Sequence, residues 1–255
     1  MSDETFRLET GAGALAVRLS RPEDADSDRA MLYLHGFGSS QEGEKADLFR
    51  RRAVAAGLAF CSFDFRGHGA SGGSMEELSL SRNLEDIGRV DAALTERGFG
   101  RRVLFGSSMG GASAMWWAAR HPGRVEAAIH LAPALELAAG LAAVAGEDGM
   151  ARWERDGYLR FATELVEVDL GWDLWRDLEA YPVEDLRSLY RTPTLIFQGM
   201  QDASVPWRGV MEFVAGCAFQ EIRLELFADG DHRLLDRLDR LWELTAGFLA
   251  DCGLL

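Results

Sequence analysis

A serine in the spacing of a nucleophile elbow is the first residue here that could do chemistry. Ser108 is central in Gly-Ser-Ser-Met-Gly at 106–110, a pattern in which a strand turns sharply into a helix and exposes a hydroxyl. The same pattern occurs at 69–73, around Ser71, inside a polar, glycine-rich stretch. Apolar residues on both sides of the first pattern predict a strand and a helix around Ser108 alone. We therefore predict that Ser108 is the nucleophile.

The base that activates such a serine is expected to be a histidine, and the chain has five. His232 alone follows the last predicted strand, in Ala-Asp-Gly-Asp-His at 228–232. This position gives the order serine, acid, histidine that accompanies a strand-to-helix elbow. We therefore predict that His232 is the general base. The other four lie earlier in the chain: His35, His68, His121 and His130.

A carboxylate has to accept a hydrogen bond from the ring nitrogen of that histidine that lies far from the serine. Asp202 follows the predicted strand at 194–197, which places it at the carboxyl edge of the sheet. Asp229 and Asp231 are rivals because they lie close to His232 in sequence. We favour Asp202, since an acid on the same short loop is poorly placed to reach the far nitrogen. The sequence leaves the two rivals open.

Two backbone N–H groups are needed to stabilise the oxyanion of a tetrahedral intermediate. One is expected from Met109, the residue after the nucleophile, at the N-terminus of the elbow helix. The other is expected from the loop after the first core strand, where Phe37 stands between Gly36 and Gly38. Glycines on both sides permit a close approach of the backbone, although an ordinary turn would use them equally well.

Strand and helix patterns alternate along most of the chain. Apolar runs at 30–34, 58–63 and 125–131 predict buried strands, with helical segments between them. This alternation predicts an α/β fold with a mostly parallel, doubly wound sheet. Two short strand patterns around the Gly-Ala-Gly at 11–13 predict an antiparallel N-terminal edge.

Residues 133–190 interrupt the alternation, because they separate two predicted strands by many more residues than a crossover connection needs. They hold three of the seven tryptophans and three of the four tyrosines. We predict a small helical cap over the carboxyl edge of the sheet, inserted in a single domain that spans 1–255. The cap aromatics either line an apolar acyl or aryl pocket or pack the cap onto the body. Trp116 and Trp117, on the elbow helix, are predicted to be core residues.

Composition and charge disfavour several classes of binding partner. The formal charge of −14 opposes binding to nucleic acid or to an anionic membrane surface. The longest apolar run, at 134–146, is too short for a membrane helix, and the first residues do not resemble a secretion signal. Three widely spaced cysteines indicate neither a disulfide framework nor a zinc site. We predict a cytoplasmic protein that uses no metal or cofactor.

Several motifs in one order resemble the α/β-hydrolase fold superfamily over nearly the whole chain. They are His-Gly-Phe-Gly at 35–38, Asp-Phe-Arg-Gly-His-Gly-Ala-Ser at 64–71, Gly-Ser-Ser-Met-Gly-Gly at 106–111, 199–202 with Val-Pro at 205–206, and Asp-His at 231–232. The elbow, Val-Pro-Trp at 205–207 and Asp-His-Arg at 231–233 are similar to a serine esterase and thioesterase branch. That branch holds acyl-glucuronide esterases and palmitoyl-protein thioesterases, with bacterial cinnamoyl and feruloyl esterases as neighbours.

The resemblance implies a catalytic triad of Ser108, Asp202 and His232, with the Phe37 and Met109 amides as oxyanion hole. It also implies that residues 64–71 form a structural turn at the floor of the site.

Two positions depart from the superfamily pattern. Ser107 and Gln198 stand where many of these esterases have histidine.

The resemblance also limits the reaction. An aspartate nucleophile, as in haloalkane dehalogenases of this fold, is excluded by Ser108. The expected activity is hydrolysis of carboxylic esters or thioesters of small-to-medium acyl or aryl groups through an acyl-enzyme. The alternatives are an acyl-protein or acyl-thioester deacylase, a C–C bond hydrolase or perhydrolase, and a non-catalytic binding module of the same fold.

Overall fold

A central sheet of eight strands organises the computed structural model, which describes residues 1–11, 13–23, 28–162 and 167–255. Ten strands occur in these ranges: β1 (Ser2–Thr10), β2 (Gly13–Arg21), β3 (Arg29–Leu34), β4 (Ala59–Phe63), β5 (Arg101–Ser107), β6 (Val125–Leu131), β7 (Tyr158–Ala162), β8 (Glu167–Gly171), β9 (Thr194–Gly199) and β10 (Ile222–Phe227). The large sheet has the order β1-β2-β4-β3-β5-β6-β9-β10, and β7 pairs with β8 alone.

The sheet is parallel from β4 to β10 and antiparallel at its N-terminal edge. The inner strands are buried along nearly their whole length, as their continuous apolar runs predict. β1 pairs with β2, and β2 pairs with β4, both antiparallel, so the predicted N-terminal edge is confirmed. Ala12, in the predicted hairpin turn, lies outside the described residues.

Helices cover both faces of the sheet. They are α1 (Glu44–Ala55), α2 (Leu80–Glu96), α3 (Met109–Arg120), α4 (Leu137–Asp156), α5 (Trp172–Leu178), α6 (Val183–Leu189), α7 (Trp207–Gly216) and α8 (Leu238–Asp251). Alternate residues of the inner strands β3, β4 and β5 enter opposite apolar layers. Leu104 of β5 packs in the layer with α2 and α3, whereas its neighbour Phe105 packs with α1 and α8. None of the helices described here is long and apolar enough to cross a membrane.

The segment at 133–190 is not wholly helical. It contains α4, α5 and α6, together with the antiparallel hairpin of β7 and β8. Residues 163–166, between the two strands, lie outside the described part of the chain. The indole N–H of Trp153 donates to Leu170 O at 2.7 Å, which fastens the hairpin to α4. Strands of five residues carry too short an alternation to be separated from helix by periodicity.

Candidate active site

Ser108 lies on the sharp turn between β5 and α3. Its φ of 53° and ψ of −119° are strained for a residue with a side chain, and it is half-buried. Glycines at 106 and 110 let this turn pack closely against its neighbours. A Cβ at Gly106 would lie 2.6 Å from Gly111 Cα, and one at Gly110 would overlap the carbonyl oxygens at the end of β3. The predicted elbow around Ser108 therefore has the local geometry that its pattern requires.

The second pattern match has a structural role. The Ser71 hydroxyl donates to Asp64 O at 2.6 Å and accepts from Ala16 N at 2.8 Å. The buried Asp64 carboxylate accepts from Gln41 N at 2.6 Å and from Ala70 N at 2.9 Å. These bonds fix the 64–71 turn against β2, and they engage the Ser71 hydroxyl on both sides.

An acid and a histidine meet at the ends of β9 and β10. His232 Nδ1 lies 2.7 Å from Asp202 Oδ2, so Nδ1–H donates to the carboxylate and Nε2 is left as the basic nitrogen. The other oxygen of Asp202 accepts from the Ser204 and Val205 amides, each at 2.8 Å. Burial raises the pKa of Asp202, but the His232 hydrogen bond and the two amides outweigh it and lower the pKa below its usual value.

The two rival acids are engaged elsewhere. Asp229 is exposed and pairs with Arg237 at 3.0 Å. Asp231 Oδ1 accepts from Arg233 N at 2.9 Å and from Leu234 N at 2.7 Å, which closes the turn around His232. Of the three candidates, Asp202 is the one whose carboxylate contacts the histidine ring.

Close packing of two loops brings Asp202 to His232. Gln201 N donates to Gly230 O at 2.9 Å, which ties the loop after β9 to the loop after β10. A Cβ at Gly199 would overlap the carbonyl oxygens of Gly230 and Asp231. Only a glycine at 199 lets the loops approach this closely.

Gln198, which departs from the superfamily pattern, contacts the acid in a way that its motif does not predict. It is buried at the end of β9, and its Nε2 lies 3.2 Å from Asp202 Oδ2 and 3.0 Å from Val205 O. Its amide therefore adds a donor to the acid. No sequence signal could have found this contact, because Gln198 and Asp202 meet through the turn of the loop.

The loop after β3 lies directly against the elbow. A Cβ at Gly36 would be 3.3 Å from Ser108 Cβ, so the backbone that leads to Phe37 passes beside the nucleophile. Met109 is the first residue of α3, where backbone N–H groups have no intrahelical acceptor. The loop is anchored by His35, whose Nε2 accepts from Phe65 N at 3.0 Å. Burial lowers the pKa of His35 to about 4, with a further contribution from His68, so the ring is neutral at pH 7.

An apolar cavity of about 260 Å³ begins beside Met109. The apolar lining comes from α2 and the residue Leu78 before it, from α3, α5 and α6, and from the residues around the start of α4. These residues are Leu78, Leu80, Ala112, Trp116, Ala134, Leu135, Leu137, Ala138, Leu174, Leu178 and Val183. Trp116 is buried, as predicted, but it also lines this cavity. Of the aromatics at 133–190, Tyr181 lines it, whereas Trp172 and Trp175 pack around Trp153.

The described ranges contain no group of three or more His, Cys, Asp or Glu side chains that could hold a metal ion.

Known proteins resemble this chain in sequence and in fold. The family described as serine aminopeptidase, S33 matches residues 25–155, about half of the chain. The mitochondrial palmitoyl-protein thioesterase ABHD10 of Mus musculus is 24% identical over 224 residues, covering 82% of this chain and 70% of its own length.

Among solved structures, a hydrolase candidate from Agrobacterium vitis S4 has a TM-score of 0.85 at 27% identity, covering 97% of this chain and 99% of its own. Est1E of Butyrivibrio proteoclasticus, solved with ferulic acid bound, has a TM-score of 0.81 at 23% identity. The match covers 96% of this chain and 99% of the Est1E chain. The chain therefore belongs to the serine aminopeptidase S33 family, and it is a serine hydrolase with the α/β-hydrolase fold.

Proposed function

We propose that this protein hydrolyses carboxylic esters or thioesters through an acyl-enzyme formed on Ser108. His232 is the general base, Asp202 orients it, and the Phe37 and Met109 amides form the oxyanion hole. The observation that carries the proposal is the hydrogen bond between His232 and Asp202 at the carboxyl edge of the sheet. With Nδ1 bonded to Asp202, Nε2 is the ring nitrogen that can take the proton of a serine nucleophile.

The groups act in two successive halves of the proposed reaction. The Ser108 hydroxyl attacks the acyl carbonyl while His232 Nε2 takes its proton, and the carbonyl oxygen becomes an oxyanion between the two amides. His232 then gives the proton to the leaving alcohol or thiol as the carbonyl re-forms. Water attacks the acyl-enzyme by the same route, which releases the carboxylic acid and restores Ser108. The ionised Asp202 stabilises the imidazolium that forms in both halves.

The cavity beside Met109 supports an apolar acyl or aryl group as the part of the substrate that is recognised. Its lining residues carry almost no charge, and a hydrocarbon chain or ring gains by leaving water there. The segment at 133–190 supplies several of these residues, which supports its role as a cap that sets specificity. The palmitoyl-protein thioesterase relative adds a deacylase of acylated proteins as the second candidate.

Replacement of the nucleophile tests the proposal. Ser108→Ala should abolish hydrolysis of p-nitrophenyl butyrate and of a matched butyryl thioester, while Asp229→Asn, on the exposed rival acid, should keep the wild-type rate. Wild-type hydrolysis by Ser108→Ala would overturn the proposal. Comparison of butyryl with palmitoyl thioesters separates the two candidates, because a deacylase should prefer the long chain. A wild-type protein that hydrolyses none of them would favour a binding module of this fold.

A further inference from the structure

β10 is one edge of the large sheet, and only its inner side pairs with another strand in the described ranges. The ladder with β9 shows which of its backbone groups point inwards. The carbonyl of Glu221 accepts from Thr194 N at 2.9 Å, and the carbonyl of Phe227 accepts from Met200 N at 2.8 Å. Backbone groups of successive residues point to opposite sides of a strand. The backbone groups of the odd-numbered residues of β10 therefore face β9.

The backbone groups of the even-numbered residues of β10 face away from the sheet. Among the described residues, no hydrogen bond outside the β9 ladder involves them. Such a row of unpaired N–H and C=O groups is a template on which another strand can add. The edge is accessible, because Leu226 is 38% exposed and Glu225 is also exposed. The row consists of the backbone groups of Ile222, Leu224 and Leu226.

The charged side chains of β10 indicate which strand would fit. Arg223 and Glu225 flank Leu224 and point to the same face of the sheet. The guanidinium of Arg223 contacts Asp251 at 2.7 Å, yet its side chain stays 54% exposed. Glu225 forms no ion pair within the part of the chain that the structure describes. The strand therefore carries a cation and a free carboxylate, placed symmetrically about Leu224.

We infer that β10 pairs antiparallel with β10 of a second copy of this chain, about a two-fold axis at Leu224. Arg223 of each copy then lies opposite Glu225 of the other, and Ile222 lies opposite Leu226. The outward groups of 222, 224 and 226 meet one another, so each of these pairs exchanges both of its hydrogen bonds. The two eight-stranded sheets become one sheet of sixteen strands. None of these residues belongs to the candidate active site, so the inference does not depend on the proposed function.

Charge selects this register over its neighbours. The outward groups would also meet if the axis lay at residue 223 or at residue 225. The first of these registers places Arg223 opposite Arg223, and the second places Glu225 opposite Glu225. Like charges directly opposite each other destabilise a strand pair, whereas opposite charges stabilise it. The register about Leu224 is the one of the three that gives Glu225 a counter-charge.

Reversal of one charge makes the first test. In sedimentation velocity at 0.15 M salt, where repulsion between copies of charge −14 is screened beyond about 8 Å, the wild type should be a dimer. Glu225→Arg should raise the Kd of the dimer roughly tenfold or more, because it places arginine opposite Arg223 in two pairs. Glu96→Arg makes the same change of charge at an exposed position of α2 and should leave the Kd unchanged.

Mixing two variants separates charge complementarity from damage to the fold. Arg223→Glu should also lose the dimer, because glutamate then lies opposite Glu225 in both pairs. An equimolar mixture of Arg223→Glu and Glu225→Arg should form heterodimers, since each arginine then faces a glutamate. A wild type that stays monomeric at roughly 0.1 mM would overturn the inference. A dimer that Glu225→Arg does not weaken, or a mixture of the two folded variants that does not associate, would also overturn it.

The backbone pairing has its own test. Leu224→Pro removes an N–H group that does not bond to β9, so the protein should stay folded by circular dichroism and lose the dimer. A folded Leu224→Pro variant that still dimerises like the wild type would overturn the inference.

Cross-linking checks the register. Cys61 and Cys217 are buried, so Cys252→Ser gives a suitable background for new cysteines. A short bis-maleimide should join two copies of Leu224→Cys, whose side chains face each other across the axis. It should not join two copies of Leu226→Cys, which lie four residues apart along the strands, about 13 Å. Cross-linking of Leu226→Cys in place of Leu224→Cys would contradict the proposed pairing.

Discussion

His232 Nδ1 lies 2.7 Å from Asp202 Oδ2 although 30 residues separate them in the chain. The contact exists because the loops after β9 and β10 touch at Gly199 and Gly230, where side chains would collide. Asp202 is further held by the amides of Ser204 and Val205. The carboxylate is therefore a fixed acceptor for one tautomer of His232.

Replacement of the acid should leave a folded and nearly inactive enzyme. Asp202→Asn keeps the size of the side chain but can present N–H to His232, which favours the wrong tautomer. We expect kcat on p-nitrophenyl butyrate to fall by roughly 10³- to 10⁴-fold with little change in KM. Asp231→Asn, which removes a neighbouring negative charge, should cost far less. A loss for Asp231→Asn as large as that for Asp202→Asn would point to the other acid.

The loop that leads to Phe37 gives a test of the oxyanion hole. In Gly36→Ala the new Cβ would lie 3.3 Å from Ser108 Cβ, so the loop must move by a few tenths of an ångström. We expect kcat to fall roughly tenfold, because the Phe37 amide leaves the position of the oxyanion. Gly247→Ala on α8 is the matched control, since nothing lies within 4 Å of its Cβ. A Gly36→Ala variant with wild-type kcat would contradict the assignment of this loop.

Filling the cavity beside Met109 should change the preference for acyl length. Ala138 is half-buried on α4 and lines the cavity, so Ala138→Phe would occupy space that an acyl chain needs. We expect kcat/KM for p-nitrophenyl octanoate to fall at least tenfold more than that for the acetate. Ala143→Phe, at an exposed position of the same helix, should leave the ratio unchanged. Equal losses for both esters would show that the acyl chain binds elsewhere.

His130 gives a prediction about stability and pH. It is fully buried in β6, and neither ring nitrogen has a hydrogen-bond partner within the described residues. Burial lowers its pKa to about 3, so below pH 6.5 the unfolded chain binds a proton that the folded protein does not. Stability is therefore lost as pH falls from 6.5 towards 3.

Removal of this histidine should relieve the loss. When the pH is lowered from 7 to 5, the free energy of unfolding of the wild type should fall by about 2 kcal/mol more than that of His130→Leu. Urea denaturation at the two pH values measures the difference. A difference that does not change with pH would mean that His130 does not titrate in this way.

The sequence was sufficient to locate the elbow and to choose its serine. Ser71 and Ser108 match the same pattern, and the choice came from the strand and helix around Ser108. The structure gives a physical reason for it, because the Ser71 hydroxyl is held by Asp64 O and Ala16 N. The parallel sheet was predictable for a similar reason, since its strands are continuous apolar runs.

Some side-chain contacts at the site could not be predicted in this way. Gln198 and Lys45 reach Asp202 and Ser107 through folded geometry, and their patterns carry no signal. The β7–β8 hairpin was missed because each strand has only five residues. The cytoplasmic location stays a prediction, and the thioesterase relative is a mitochondrial protein.

Covalent labelling is the sharpest test of whether Ser108 is an activated nucleophile. The wild-type protein is treated with a fluorophosphonate at pH 7.5 and its peptides are mapped by mass spectrometry. We expect a single adduct on Ser108, absent from Ser108→Ala and formed much more slowly in His232→Ala. An adduct on Ser71, or an unmodified Ser108 in the folded protein, would contradict it.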